Sequence, residues 1–148
     1  EPLGLAPIGL GARDTLRLEM KFALYGNDIT EATTPLEAAL GWVVKLDKGE
    51  FRGRDALVRQ KEEGLTRRLV AFELEQRGVP RHGYPALLDG ERVGEVTSGV
   101  MSPSLGKPIG LAYLPRGSWK PGSRFQVEIR NKAVDAVVVR PPFYTRPY

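Results

Sequence analysis

Arg13 and Arg17 stand four residues apart in the run Gly11-Ala12-Arg13-Asp14-Thr15-Leu16-Arg17-Leu18-Glu19. A guanidinium stays charged at any working pH and offers a carboxylate two parallel hydrogen bonds. On a helix the two side chains share a face. From the residues alone, the plainer use of that face is a surface ion pair. Asp14 lies three positions before Arg17, and such a pair contributes only about 0.2–1 kcal/mol. Other chemistry is narrowed by what the chain lacks. There is no cysteine, which removes disulfides, thiolate metal sites and cysteine nucleophiles. His82 is the sole histidine, so a zinc site or a Ser-His-Asp triad has at most one imidazole to use. It sits in Arg81-His82-Gly83, a loop pattern in which a histidine is ordinarily solvated. Gly9-Leu10-Gly11 lacks the spacing of a phosphate loop or a dinucleotide fingerprint. No catalytic residue and no metal site is assigned within this chain.

The elements that would position these residues fall into two groups. Residues 1–10 are Gly/Pro-rich and apolar, a connecting segment. Residues 12–20 hold good helix formers, with Ala12, Leu16 and Met20 at helical spacing. Thr34-Pro35-Leu36-Glu37 reads as a capping box opening a short helix that Gly41 closes. Trp42–Leu46 then reads as a buried strand, and Asp55–Glu63 as a second helix closed by Gly64. Beyond Gly64 the pattern changes to short strands with turns between them. Val70, Phe72 and Leu74 alternate, Asp89-Gly90 signals a hairpin, Ile109–Leu114 is strand-like, and Phe125, Val127 and Ile129 alternate before a turn at Asn131-Lys132. The expectation is an α+β segment over 1–64 followed by a mainly antiparallel β-barrel over 65–148, with the boundary near 62–66. Asp47–Glu50 and Pro115–Gly122 are loops. Trp42 and Trp119 are expected to pack rather than to stack on ligands.

The chain has 148 residues with 41% hydrophobic and 27% charged side chains, which suits a packed core and argues against chain-wide disorder. The net charge of +4 admits a nucleic-acid partner, an acidic partner or an anionic ligand. The bases, however, are interleaved with acids, as in Glu50-Phe51-Arg52-Gly53-Arg54-Asp55, with no block of five or six like charges. A solvated mixed surface is therefore expected, and no nucleic-acid face. No apolar run approaches the roughly 18 residues of a membrane-spanning helix, so no membrane partner is expected. Glu1-Pro2-Leu3-Gly4 has neither an initiator Met nor a signal pattern, and reads as the middle of a longer chain.

Six strings, in order along the chain, carry a resemblance. They are the arginine helix 11–19, Leu24-Tyr25-Gly26-Asn27-Asp28-Ile29, Thr33-Thr34-Pro35-Leu36-Glu37, Val96-Thr97-Ser98-Gly99 with Ser102-Pro103-Ser104-Leu105, Ile109-Gly110-Leu111-Ala112-Tyr113, and Pro142-Phe143-Tyr144. Together they resemble the T-protein (aminomethyltransferase) family of the glycine cleavage system, over essentially the whole chain. The resemblance implies a three-domain cloverleaf with folate in a central channel and a C-terminal β-barrel. It implies an enzyme that takes the aminomethyl group from the lipoyl arm of H-protein and passes the one-carbon unit to tetrahydrofolate, releasing ammonia.

In that family an arginine at the position of Arg13 contacts folate, whose glutamate end carries two carboxylates. The family's tail returns to the folate channel, which makes Arg146 and Tyr148 further candidates for contact with tetrahydrofolate. Arg17 is expected to pair structurally, Glu19 to form a salt bridge rather than to hold the pterin, and Tyr25 and Asp28 to shape the surroundings. The family's essential aspartate lies N-terminal to the stretch matched here, so this chain alone is expected to be inactive. Ammonia release from aminomethylated H-protein above a no-protein control would sink that expectation. Where many members read Glu-Ala-Gly-Met, this chain reads Glu19-Met20-Lys21-Phe22, which leaves local contacts open. The alternative is a folate-binding module of a relative without glycine-cleavage activity, of the amine-dehydrogenase-fusion or RNA-modification and iron–sulfur-repair kind. The expected partners are lipoylated H-protein of the glycine cleavage system and tetrahydrofolate. The tail's style suggests bacterial cytoplasm, or the mitochondrial matrix in a eukaryote.

Overall fold

A computed structural model describes residues 3–145. Helix α1 spans Leu10–Glu19 and helix α2 spans Arg54–Glu63, with a 3-10 turn at Gly41–Val43 between them. Six strands follow: β1 Arg67–Leu74, β2 Pro85–Leu88, β3 Glu91–Ser102, β4 Lys107–Pro115, β5 Arg124–Ile129 and β6 Lys132–Val139. They close into a barrel in the order β1-β4-β3-β2-β5-β6. Every pairing is antiparallel. Closure leaves no strand edge to attract another chain.

Alternation along the strands produces two cores. Val70, Phe72 and Leu74 point inward with Val96, Leu114, Phe125, Val127 and Val138 to fill the barrel. Phe72 and Phe125 meet there edge to face, ring centres 5.2 Å apart. The opposite face of β1 and β4 supplies Leu69, Ala71, Ile109 and Leu111, and these bury Leu18 of α1. The long strand β3 pairs with β2 through its first residues and with β4 through the rest. Backbones approach so closely there that a Cβ on Gly94 would lie 2.0 Å from the Tyr113 carbonyl oxygen.

Local turn chemistry accounts for the hairpins. Asp89 and Gly90 both adopt positive φ, 51° and 84°, as a two-residue turn between twisted strands requires. The β5–β6 turn falls on Arg130 and Asn131, at φ 51° and 62°, one residue earlier than the sequence suggests. Gly64 ends α2 with φ 79°, where a side chain would be strained.

Two expectations about residues 34–46 fail. The capping box forms, with the Thr34 N–H donating to Glu37 Oε2 at 2.9 Å and the Glu37 N–H to Thr34 Oγ1 at 3.2 Å. No regular helix follows, because the Glu37 carbonyl accepts from Leu69 N–H of β1 at 2.8 Å and Ala39 turns left-handed at φ 59°. Trp42–Leu46 is not a buried strand. The closed barrel offers it no edge, and Trp42 is 75% exposed. Trp119, by contrast, packs against the barrel core.

Candidate functional site

The residues singled out around α1 are organised by one buried ion pair. Asp28 is fully buried. Its Oδ2 accepts from Arg17 Nη1 at 2.5 Å and from Leu24 N–H at 2.8 Å, while its Oδ1 accepts from Thr97 Oγ1. Arg17 also donates to Asp14 Oδ1 through Nε and Nη2, at 2.8 and 2.6 Å, and to Ser98 Oγ at 2.8 Å. Asp14 and Arg17 therefore pair as expected, but within a larger network that ties α1 to the barrel wall. Tyr113 donates its hydroxyl to the Asp28 carbonyl at 2.9 Å. Burial raises the Tyr113 pKa above its ordinary value.

A bulge in β3 makes this network possible. Consecutive side chains on a regular strand face opposite sides of the sheet. Thr97 and Ser98 nevertheless both reach the Arg17–Asp28 pair. The register between β3 and β4 shifts between Val96 and Ser98, so Thr97 is an extra residue against β4. A bulge of this kind re-aims a side chain. The string Val96-Thr97-Ser98-Gly99 is thus the anchor point of the helix.

Glu19 closes the other end of α1. It is 2% exposed and makes no salt bridge among the described residues, where one was expected. Its carboxylate instead accepts from Ser102 Oγ on Oε1 and from Ser104 Oγ on Oε2 at 2.9 Å. Both serines lie at the β3–β4 connection. The Glu19 backbone carbonyl accepts from the Phe143 and Tyr144 N–H groups at 3.0 and 3.1 Å. Phe143 packs on the outer core. One residue therefore fastens the end of α1, the hairpin and the C-terminal tail.

These contacts frame a cavity of about 1000 Å³ along α1. Arg13, Leu16, Met20, Phe22, Ser104 and Tyr144 are among its lining residues. The volume is at the upper end of what small-molecule sites occupy. Its walls are mostly apolar, and Leu10, Leu16 and Phe22 are 82%, 63% and 63% exposed, an apolar patch of the kind that covers a ligand or partner. Arg13 is exposed and engages no carboxylate or carbonyl among the described residues. Its guanidinium is available for an anion, while that of Arg17 is committed to Asp14 and Asp28. The tail reaches the cavity through Tyr144. Arg146 and Tyr148 lie outside the described residues.

Phe22 and Leu16 are cavity residues that the sequence reading missed. An aromatic residue just past a helix end, with no periodic role in the core, was the available signal. Tyr25 is 66% exposed and stands apart from the cavity lining. His82 is exposed, with Nδ1 2.9 Å from the Thr97 carbonyl oxygen. The cavity's acids are accounted for: Glu19 is held by serines, and the nearby Asp14 and Asp28 by Arg17. Among the described residues no group of three or more His, Asp and Glu could hold a metal. The arrangement can grip an anion and shelter a flat apolar body. Among the described residues it presents no uncommitted carboxylate or imidazole to move a proton.

Comparison with known proteins agrees with this layout. Residues 67–145 match the model of the glycine cleavage T-protein C-terminal barrel domain, and residues 1–48 match that of the GCVT N-terminal domain. The chain is 55% identical over 141 residues to the aminomethyltransferase of Halothermothrix orenii, covering 95% of this chain and 40% of that protein. It is 57% identical over 142 residues to the aminomethyltransferase of a Nostoc species, covering 95% of this chain and 38% of that one. The crystal structure of glycine cleavage system aminomethyltransferase T from Bartonella henselae superposes with a TM-score of 0.88 at 37% identity, over 93% of this chain and 39% of the other. The chain thus spans about 40% of the length of the curated relatives it matches. On its six-stranded barrel, its matched motifs and these relatives, the chain belongs to the glycine cleavage T-protein family, to whose C-terminal part it corresponds.

Proposed function

We propose that this chain is the folate-contacting C-terminal part of a tetrahydrofolate-dependent aminomethyltransferase. In that reading the complete protein moves the one-carbon unit from the aminomethyl-lipoyl arm of H-protein to tetrahydrofolate and releases ammonia. Residues 1–64 complete the folate-binding region and residues 65–148 form the barrel domain. Arg13 binds a carboxylate of the folate glutamate, and the tail, through Arg146 and Tyr148, adds further contacts. The observation that carries the reading is the Arg13 guanidinium, which holds no carboxylate among the described residues, on the rim of the apolar α1 cavity, where Tyr144 also brings the tail. The aminomethyltransferase names of the matched relatives favour this over a folate-binding module without glycine-cleavage activity.

The test is a calorimetric titration of tetrahydrofolate into this chain and into Arg13→Ala. Neither tryptophan lines the cavity, so heat is a better reporter than intrinsic fluorescence. Saturable binding that the substitution weakens by roughly tenfold, about 1.4 kcal/mol, is expected for a lost charge-assisted contact. Equal affinity for the two proteins would remove Arg13 from the site.

A further inference from the structure

A second cavity, of about 750 Å³, opens between the segment 77–84 and the β5–β6 hairpin. It shares no lining residue with the α1 cavity. Arg77, Arg81, Arg130 and Lys132 surround it, and among the described residues no acidic one lines it. These four come from two separate stretches of sequence, so no run of like charge announces them. All four are exposed, and none holds a carboxylate among the described residues. Arg67, Arg92, Lys107 and Arg124 each pair with a glutamate, and other exposed cations such as Arg52 and Lys120 stand unpaired among the described residues; what distinguishes these four is that they line one cavity. Four like charges gathered without a counter-ion repel one another, and an anionic partner relieves that repulsion.

Two further features narrow the partner. The cavity floor is apolar, with Tyr84 half-buried and Met101 44% exposed. A phosphate or a bare polyanion leaves such a floor wet. Arg130 also holds φ 51° at a turn position that suits Asn or Gly better, a strained placement that sets its side chain on the rim. A row of exposed aromatics for stacking bases is missing from the lining, which disfavours single-stranded nucleic acid.

We propose that this cavity is a docking site for an acidic protein segment, whose carboxylates meet the four cations while an apolar side chain covers Tyr84 and Met101. The site is independent of the folate reading, and its test does not involve folate. The probe is a short fluorescein-labelled peptide alternating Glu and Leu, titrated against the chain by fluorescence anisotropy. A thymidine oligonucleotide and an all-Glu peptide serve as comparisons. Saturable binding of the Glu/Leu peptide is expected, tighter than that of either comparison. Affinity should fall by at least about tenfold in Arg77→Glu/Arg130→Glu, and should fall as salt rises from about 0.05 to 0.5 M. Met101→Ser should weaken the Glu/Leu peptide and leave the all-Glu peptide unchanged. Because these side chains are exposed, circular dichroism should show the variants folded. If the double variant does not fold, Lys132→Glu is judged by the same criterion. No binding, equal binding by the charge variants, or tighter binding of the oligonucleotide would each overturn the proposal.

Discussion

Replacing Asp28 by Ala tests the network that fixes α1 to the barrel. The carboxylate is fully buried, and the Arg17 side chain is only 11% exposed. Removing one partner of a buried pair costs about 3–5 kcal/mol, because the remaining charge is left desolvated. Asp14 still faces Arg17, which places the expected loss toward the lower end of that range. The part-buried Leu24 N–H loses its acceptor as well, at a cost of about 1–3 kcal/mol, while the Thr97 hydroxyl keeps the Leu111 carbonyl at 3.3 Å. These terms overlap, and about 3–5 kcal/mol in total is a fair expectation. That is a large share of the roughly 5–15 kcal/mol by which domains of this kind are stable. Urea unfolding followed by far-ultraviolet circular dichroism measures it, as a lowered midpoint with an unchanged slope. Arg17→Met in the same background supplies the control. The double variant should lose less than the sum of the single losses, since the stranded charge is then gone. A loss below about 1 kcal/mol for Asp28→Ala, or strict additivity, would refute the argument.

Gly94→Ala should destabilise the barrel by about 1–3 kcal/mol, because its Cβ would fall 2.0 Å from the Tyr113 carbonyl oxygen, a backbone atom with little room to move. A melting temperature equal to that of the parent would show that β3 and β4 are not so tightly apposed. Glu37 supplies a pH dependence. Burial works to raise its pKa, but the hydrogen bond from the Thr34 backbone and the bonds and charge of Arg67 outweigh that and hold it below 4.5. A carboxylate depressed in the folded state adds stability that is complete above its unfolded pKa and is lost as pH falls through the folded value. Stability should therefore decline below pH 4.5 partly through Glu37, and Glu37→Gln should decline less over that window. Parallel pH profiles of the urea midpoint for the two proteins would contradict it.

Much of this fold could be read residue by residue because the signals act over a few positions. Asp89-Gly90 satisfies its own turn, Gly64 ends its own helix, and alternation of Val70, Phe72 and Leu74 marks an inward face whatever the partners are. Arg13 became a candidate through the motif strings that led to the family, since the residues alone favoured a surface ion pair. The Thr34–Glu37 box shows where local reading stops. Its hydrogen bonds form as the sequence implies, yet the helix does not, because the Glu37 carbonyl finds a better placed donor in Leu69, 32 positions away. Trp42–Leu46 has strand-like composition, but strand formation needs a free edge, and barrel closure removes it.

The site belongs largely to the second category. Asp28 and Ser98 meet across 70 positions through Arg17, and only a bulge in β3 turns Thr97 and Ser98 toward the same pair. Register shifts arise from how two strands pair, so no single string contains them. The four cations of the second cavity are scattered among acids in the sequence and gathered only by the loop 77–84 and the β5–β6 turn. What the sequence determined by itself was short-range: caps, turns, alternation and family motifs, each fixed by the steric and hydrogen-bonding preferences of adjacent residues. The tertiary structure decided which carboxylates are buried, which guanidiniums are committed and where cavities open, because those depend on desolvation and pairing between residues far apart in the chain.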